Sequence, residues 1–131
     1  MTMTNIGCMA LACALVLSGC INVTPERAQA MARAIPADYK QQIVIKMHSF
    51  LKDPYSVRDA EITMPTVIMA TLTPDIPGVC VRLNAKNAFG AYTGQETYRV
   101  AFQGGQITSV MPEQWKCTEA WKPFPELNGQ G

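Results

Sequence analysis

Residues 79–86, Val-Cys-Val-Arg-Leu-Asn-Ala-Lys, are the stretch that decides the fold of this 131-residue chain. Apolar and polar side chains alternate along it, which is the period-two pattern of a β-strand with two different faces. The face predicted to lie in the core consists of Val79, Val81, Leu83 and Ala85. The opposite face consists of Cys80, Arg82, Asn84 and Lys86.

Further strands are predicted on both sides of this one. The β-branched or alternating segments are residues 57–62, 66–72, 96–103 and 106–110. Gly104 and Gly105 separate the last two segments and form a two-residue hairpin signal. Pro77 and Gly78, which follow Pro74, predict a turn before residue 79. In the segment 96–103 the residues expected to point inward are Tyr98, Val100 and Phe102.

The residues that precede the strands are predicted to be helical. Thr24, Pro25 and Glu26 are typical of a helix start, with a capping hydroxyl, a proline in the first turn and an acid near it. Pro36 interrupts this helix, and a second helix runs to about Leu51. The apolar stripe of the second helix consists of Tyr39, Ile43, Met47 and Phe50. The predicted fold class is α+β, with one or two N-terminal helices packed on an antiparallel sheet of about four strands.

The composition limits the classes of function. The chain has 11 Lys and Arg against 10 Asp and Glu, a net charge of +1, and no basic block. Nucleic-acid binding therefore has no electrostatic support. The length fits one domain, which we place at residues 25–122, followed by a flexible tail at 123–131.

The N-terminus has the features of a targeting signal. An apolar run over residues 6–17 ends in Leu17-Ser18-Gly19-Cys20 and is typical of a secretory signal. The last four residues resemble the lipobox of bacterial lipoproteins. That resemblance implies a signal peptide at 1–19, a lipidated Cys20 and a tether at 20–24. It also implies delivery to the outer membrane, because neither Ile21 nor Asn22 is an aspartate. An uncleaved anchor helix is the alternative, although the run is shorter than the roughly 20 residues of a membrane span.

The remaining cysteines then form an even pair. Cys8 and Cys13 leave with the signal peptide and Cys20 carries the lipid, so Cys80 and Cys117 remain in an oxidising compartment. A structural disulfide between them is the favoured interpretation. A redox or metal pair stays as the alternative, although the chain has no Cys-x-x-Cys sequence and its only histidine lies far away in sequence.

Two segments resemble a family. Residues 51–56, Leu-Lys-Asp-Pro-Tyr-Ser, and residues 84–94, Asn-Ala-Lys-Asn-Ala-Phe-Gly-Ala-Tyr-Thr-Gly, are similar to LKDPxS and NAKNxFGGYxG motifs of small proteobacterial secreted proteins and lipoproteins. The similarity spans about residues 45–110. It implies a related fold and an envelope location, and it implies no activity.

The second motif supplies the candidate interaction site. Its candidate residues are Asn84, Lys86, Asn87, Phe89 and Tyr92. One interpretation is a self-packed loop between strands, and the other is a recognition loop on a rigid scaffold. In the second case Lys86 and Arg82 would suit an anionic partner.

Catalysis has little support in the sequence. There is no Gly-x-Ser-x-Gly motif, and nothing singles out a serine or an acid as the partner of His48. His48 is expected to be a partly exposed helix residue. Asp59 and Glu61 lie two apart on a predicted strand and are expected to be a solvated face rather than an acid–base pair. We expect no catalytic residue, no metal and no cofactor.

These observations predict a non-enzymatic lipoprotein of the outer membrane that faces the periplasm and acts as an envelope interaction or assembly component. The partners would be the membrane, through the N-terminal lipid, and an envelope protein. The alternative is a small-ligand-binding or inhibitor module in the periplasm, which requires a pocket between helix and sheet.

Overall fold

The computed structural model describes residues 24–69, 76–113 and 117–129, within which it has two α-helices and six strands. The helices are α1 (Pro25–Ala34) and α2 (Tyr39–Phe50). The strands are β1 (Arg58–Thr63), β2 (Thr66–Met69), β3 (Ile76–Asn84), β4 (Glu96–Gln103), β5 (Gln106–Pro112) and β6 (Trp121–Pro123). Short 3₁₀ helices occupy Pro54–Ser56 and Pro125–Leu127. The predicted signal peptide and Cys20 lie outside the described residues.

The strands form one antiparallel sheet in the order β5-β4-β3-β1-β6, and β2 also pairs with β3. The α+β class is confirmed, but the prediction of about four strands is wrong. Pro77 and Gly78 lie inside β3, where they pair with β2, rather than in the predicted turn. Gly78 is needed for close packing, since a Cβ there would collide with the Val100 carbonyl oxygen and the Ile68 side chain.

Helix α1 begins where the sequence predicts, whereas α2 begins at Tyr39, three residues after the predicted start at Pro36. The Thr24 hydroxyl accepts a hydrogen bond from the Arg27 N–H at 3.3 Å and caps α1. In α2 the predicted apolar stripe faces the sheet, with Ile43 and Met47 fully buried. The Tyr39 ring packs edge-on against Phe102 with centroids 6.4 Å apart.

The core lies between α2 and one face of the sheet. Its residues from the sheet, together with Val57 just before β1, are Ala60, Ile62, Val79, Val81, Leu83, Tyr98, Val100 and Phe102. The predicted inward faces of β3 and β4 are therefore confirmed, and Ala85 packs against their edge. This burial is the main stabilising contribution to the fold.

The C-terminal segment differs from the flexible tail predicted for residues 123–131. Over 123–129 it is ordered against the sheet, with Phe124 and Leu127 fully buried in the core. The Phe124 N–H donates to the Ala60 carbonyl oxygen at 2.8 Å, and the Asn128 side chain accepts from the Ala60 N–H at 3.0 Å. β6 pairs with β1 and sets the segment on this path.

The second face of the sheet carries a disulfide. Cys80 of β3 is joined to Cys117, with Cα atoms 6.5 Å apart, so the predicted disulfide pair is confirmed. The Arg82 guanidinium lies 4.4 Å from the ring centroid of Trp121 on β6. The side chain of Trp121, four residues after Cys117, therefore lies on this face.

Candidate functional site

The loop between β3 and β4 is held in shape by one side chain. The Asn87 carboxamide oxygen accepts hydrogen bonds from the N–H groups of Phe89, at 2.9 Å, and Ala91, at 3.1 Å. The Asn87 N–H donates to the Ala91 carbonyl oxygen at 2.9 Å. Gly90 takes a positive φ of 77°, which closes the turn. The tip of this loop is therefore rigid rather than loose.

Tyr92 belongs to the base of the loop. Its hydroxyl donates to the Ser56 carbonyl oxygen at 2.8 Å. Its ring lies 3.8 Å from the Arg58 guanidinium carbon and 5.6 Å from the Lys86 ammonium, both measured to the ring centroid. Tyr92 and Lys86 also form an isolated β-bridge. These contacts agree with the self-packed interpretation for this residue.

The two sequence motifs meet at Ser56. Its hydroxyl accepts a hydrogen bond from the Lys86 N–H at 2.8 Å and donates to the Asp53 carbonyl oxygen at 2.8 Å. The end of the 51–56 segment thus fixes the start of the loop. The 51–56 motif therefore supports the 84–94 loop, although the two segments are far apart in the sequence.

Phe89 behaves differently from Tyr92. Its side chain is 93% exposed, the highest value among the large apolar residues that the structure describes as exposed. The Asn87 hydrogen bonds fix the backbone beneath it. An aromatic ring exposed to water on a hydrogen-bonded turn favours the recognition interpretation for this residue.

The other predicted residues lie away from the tip. Asn84 is at the end of β3, opposite Arg58 of β1, and its side-chain oxygen is buried with no hydrogen-bond partner within the described part of the chain. Arg82 is paired with Glu61 and stacked on Trp121. The structure therefore brings Lys86, Asn87, Phe89 and Tyr92 together and leaves Asn84 and Arg82 in the sheet.

A small cavity of ≈210 Å³ lies beneath the loop. Its walls include Phe50, Lys52, Lys86 and Tyr98, with Glu96 at one side. The Tyr98 hydroxyl donates to the Glu96 carboxylate, and burial together with this hydrogen bond raises the pKa of Tyr98 above its ordinary value. The volume is below the range of about 300–1,000 Å³ that is usual for small-molecule sites.

The residues considered for catalysis do not form a cluster in the described structure. His48 is exposed and its ring packs edge-on against Tyr55. Asp59 pairs with Arg58 at 3.8 Å, whereas Glu61 pairs with Arg82 across the sheet. Asp59 has a positive φ of 53° where the β1–β3 register shifts, so the regular alternation assumed for the pair fails there.

A second polar cluster surrounds the disulfide, and sequence reasoning missed it. Glu113, just after β5, accepts from Arg99 Nε at 2.8 Å. Its carboxylate Oε2 lies 2.6 Å from Cys117 Sγ and 3.8 Å from Cys80 Sγ. The only sequence signal is the spacing of four residues between Glu113 and Cys117, which matches no standard metal motif.

The fold and these sites define a class of protein: a disulfide-bonded α+β domain that presents a rigid aromatic loop. No protein-family model, no curated protein and no solved structure matches the chain. The family resemblance of residues 51–56 and 84–94 therefore stays a prediction. Among the described helices, none combines the length and apolar character required to cross a bilayer.

Replacing Tyr92 with phenylalanine is expected to lower the free energy of unfolding by about 1 kcal/mol, because the hydrogen bond to the Ser56 carbonyl is lost. Denaturant unfolding measures the change. The control is Tyr55→Phe, a similar removal from a side chain that is 67% exposed, and it is expected to stay within about 0.5 kcal/mol of the parent. Equal effects of the two variants would contradict the role of Tyr92.

Glu61 is expected to make the domain sensitive to acid. The hydrogen bond from Arg82, and then the charge of Arg82, outweigh burial and lower the pKa of Glu61 below 4.5. The resulting stability is present above the ordinary pKa and is lost as the pH falls through the lowered value. In Glu61→Gln the melting temperature should fall less steeply below pH 4.5 than in the parent. A slope unchanged in Glu61→Gln would refute the assignment.

Proposed function

We propose that this protein is an outer-membrane lipoprotein, anchored through Cys20 and facing the periplasm, whose domain binds an envelope protein through Phe89. The observation that carries the proposal is the 93% exposure of Phe89 on a loop fixed by Asn87. A loop backbone that is already ordered loses little entropy on binding, and aromatic side chains are frequent anchors of interfaces.

The position of the loop suits a tethered domain. Residues 20–24 can reach about 14 Å at most, so the lipid would hold α1 close to the membrane. α1 contacts β2 and β3, and β2 pairs with the end of β3 that begins at Ile76. The loop follows the other end of β3, about 26 Å further along the strand. Phe89 would thus be directed away from the anchored end.

The proposed role is non-enzymatic. His48 lies on the exposed surface of α2, and the two carboxylates of β1 are engaged in separate ion pairs. Charges of both signs surround the loop. The cations of Lys86 and Arg58 lie over the Tyr92 ring, and the Asp59 carboxylate pairs with Arg58. The aromatic tip, rather than net charge, is therefore the proposed determinant of binding.

The anchor is tested separately from the binding. Cys20→Ser is expected to abolish acyl labelling and to release the protein from membranes, while the domain keeps its melting temperature. Persistent membrane association of an unlabelled Cys20→Ser protein would contradict the lipoprotein proposal and would favour the uncleaved anchor helix.

Binding is tested with a photoreactive phenylalanine analogue in place of Phe89, and with the same analogue at Ile45 as the control. Ile45 is 64% exposed on α2, away from the loop. We expect one envelope protein to be captured from position 89 and not from position 45. Phe89→Ala should weaken the affinity for that protein about 30-fold, as the loss of a hot spot of about 2 kcal/mol does, with no loss of stability. Capture from both positions alike, or affinity unchanged in Phe89→Ala, would contradict the proposal.

A further inference from the structure

The second face of the sheet brings three metal-binding side chains together. Cys80 Sγ, Cys117 Sγ and a Glu113 carboxylate oxygen all lie within 4.8 Å of one another. Each comes from a different part of the chain: Cys80 from β3, Glu113 from the end of the β4–β5 hairpin, and Cys117 from the segment before β6. The fold thus places a carboxylate beside the two cysteines, although the spacing of these residues in the sequence does not indicate a third ligand.

We propose that reduction of the Cys80–Cys117 disulfide converts this cluster into a Zn²⁺ site with two thiolate ligands and the Glu113 carboxylate. Zn²⁺ accepts sulfur and carboxylate ligands in a tetrahedral arrangement, and water fills the fourth position in open sites. A cavity of ≈110 Å³ borders both cysteines and Arg99, which leaves space for that water.

The electrostatic balance supports the assignment. Two thiolates and one carboxylate carry three negative charges, which Zn²⁺ and the Arg99 guanidinium offset. This offset matters because Cys80 is only 2% exposed and the Glu113 side chain 10%. Arg99 also donates to the Ile68 carbonyl oxygen at 2.9 Å and orients the carboxylate from outside the site.

A dithiol reductant opens the Cys80–Cys117 disulfide by thiol–disulfide exchange. The reductant is oxidised to its own disulfide, and the two protein sulfurs are reduced to thiols. Zn²⁺ then displaces the two thiol protons. The sulfurs must settle about 3.8 Å apart to share a tetrahedral zinc with Zn–S bonds of about 2.3 Å. Rotation of the Cys117 side chain supplies this movement, since Cys117 is partly exposed and Cys80 is fixed in β3.

The test uses the full chain in detergent, with serine at positions 8, 13 and 20 so that only two cysteines remain. Zn²⁺ is titrated against a chromophoric chelator before and after reduction with a dithiol that is then removed under anaerobic conditions. We expect one Zn²⁺ per reduced chain and none per oxidised chain. Glu113→Gln should weaken binding by about tenfold or more, whereas Glu119→Gln, at the rim of the same cavity, should not.

Folding is followed by far-UV circular dichroism in the same samples, and oxidised Glu113→Gln shows whether that variant folds. Should it fail to do so, Glu113→Asp replaces it. That variant keeps the charge, draws the carboxylate back from the sulfurs and is expected to weaken binding likewise. Equal Zn²⁺ affinity in the reduced parent and the folded Glu113 variant would overturn the proposal. So would the absence of binding after reduction, or a loss of helix and sheet signal that Zn²⁺ does not restore.

Discussion

Replacement of Phe124 with alanine is expected to lower the free energy of unfolding by about 3–5 kcal/mol. The Phe124 ring is fully buried in the same core as Ile43 and Met47 of α2. The neighbouring helix and sheet are held by many other contacts, so they cannot collapse into the space that the ring leaves. Urea unfolding followed by circular dichroism measures the loss as a lower midpoint with an unchanged slope.

The matched control lies two residues away. Lys122 is exposed on β6, and Lys122→Ala is expected to change the free energy of unfolding by no more than about 0.5 kcal/mol. A loss below about 1 kcal/mol in Phe124→Ala would mean that the C-terminal segment is not part of the core. Truncation after residue 122 should then be tolerated, whereas we expect it to unfold the domain.

The strands that form the core were predictable because their signal is local. Alternation along residues 79–86 assigns each side chain to a face whatever the strand pairs with. The structure places Val79, Val81 and Leu83 in the core and Cys80 on the other face, as that alternation requires. Local pattern was also sufficient for α1, whose cap and proline are contiguous in sequence.

The C-terminal segment was not predictable in the same way. Pro123 and Pro125 suggest an irregular chain, and three residues of β6 are too few to show a period. Its order comes from distant partners, namely the backbone of β1 and the core beneath α2. The turn predicted at Pro77 and Gly78 is wrong for a similar reason. Gly78 lies in a strand because Val100 and Ile68 approach it closely, and the sequence does not show that approach.

The candidate site was partly predictable. The 84–94 segment is recognisable as a loop, but the sequence does not distinguish the roles of Phe89 and Tyr92. The structure separates them, since Tyr92 is bonded to Ser56 and Phe89 has the exposed tip position. The role of Ser56 and the approach of Glu113 to the disulfide depend on which strands become neighbours. No spacing rule expresses that.

Replacement of both Cys80 and Cys117 with alanine is expected to cost about 2–5 kcal/mol of stability. Cys80 and Cys117 are 37 residues apart in the sequence. For a loop of that length, the loss of chain entropy in the unfolded state corresponds to a stabilisation of about 4 kcal/mol. Alanine is preferred to serine because Cys80 is buried and a hydroxyl there would need a hydrogen-bond partner. Urea unfolding in the presence of a chelator measures the disulfide alone, without any contribution from bound metal.

The control for this prediction is Thr118→Ala, an exposed change next to Cys117 that is expected to be nearly neutral. The oxidised parent should be the most stable form, and the reduced parent without metal should match the double alanine variant within about 1 kcal/mol, since both open the same loop. If the double variant were as stable as the oxidised parent, β3 and the C-terminal segment would hold their positions without the bridge. The core contacts of Phe124 and Leu127 would then account for the whole attachment of that segment.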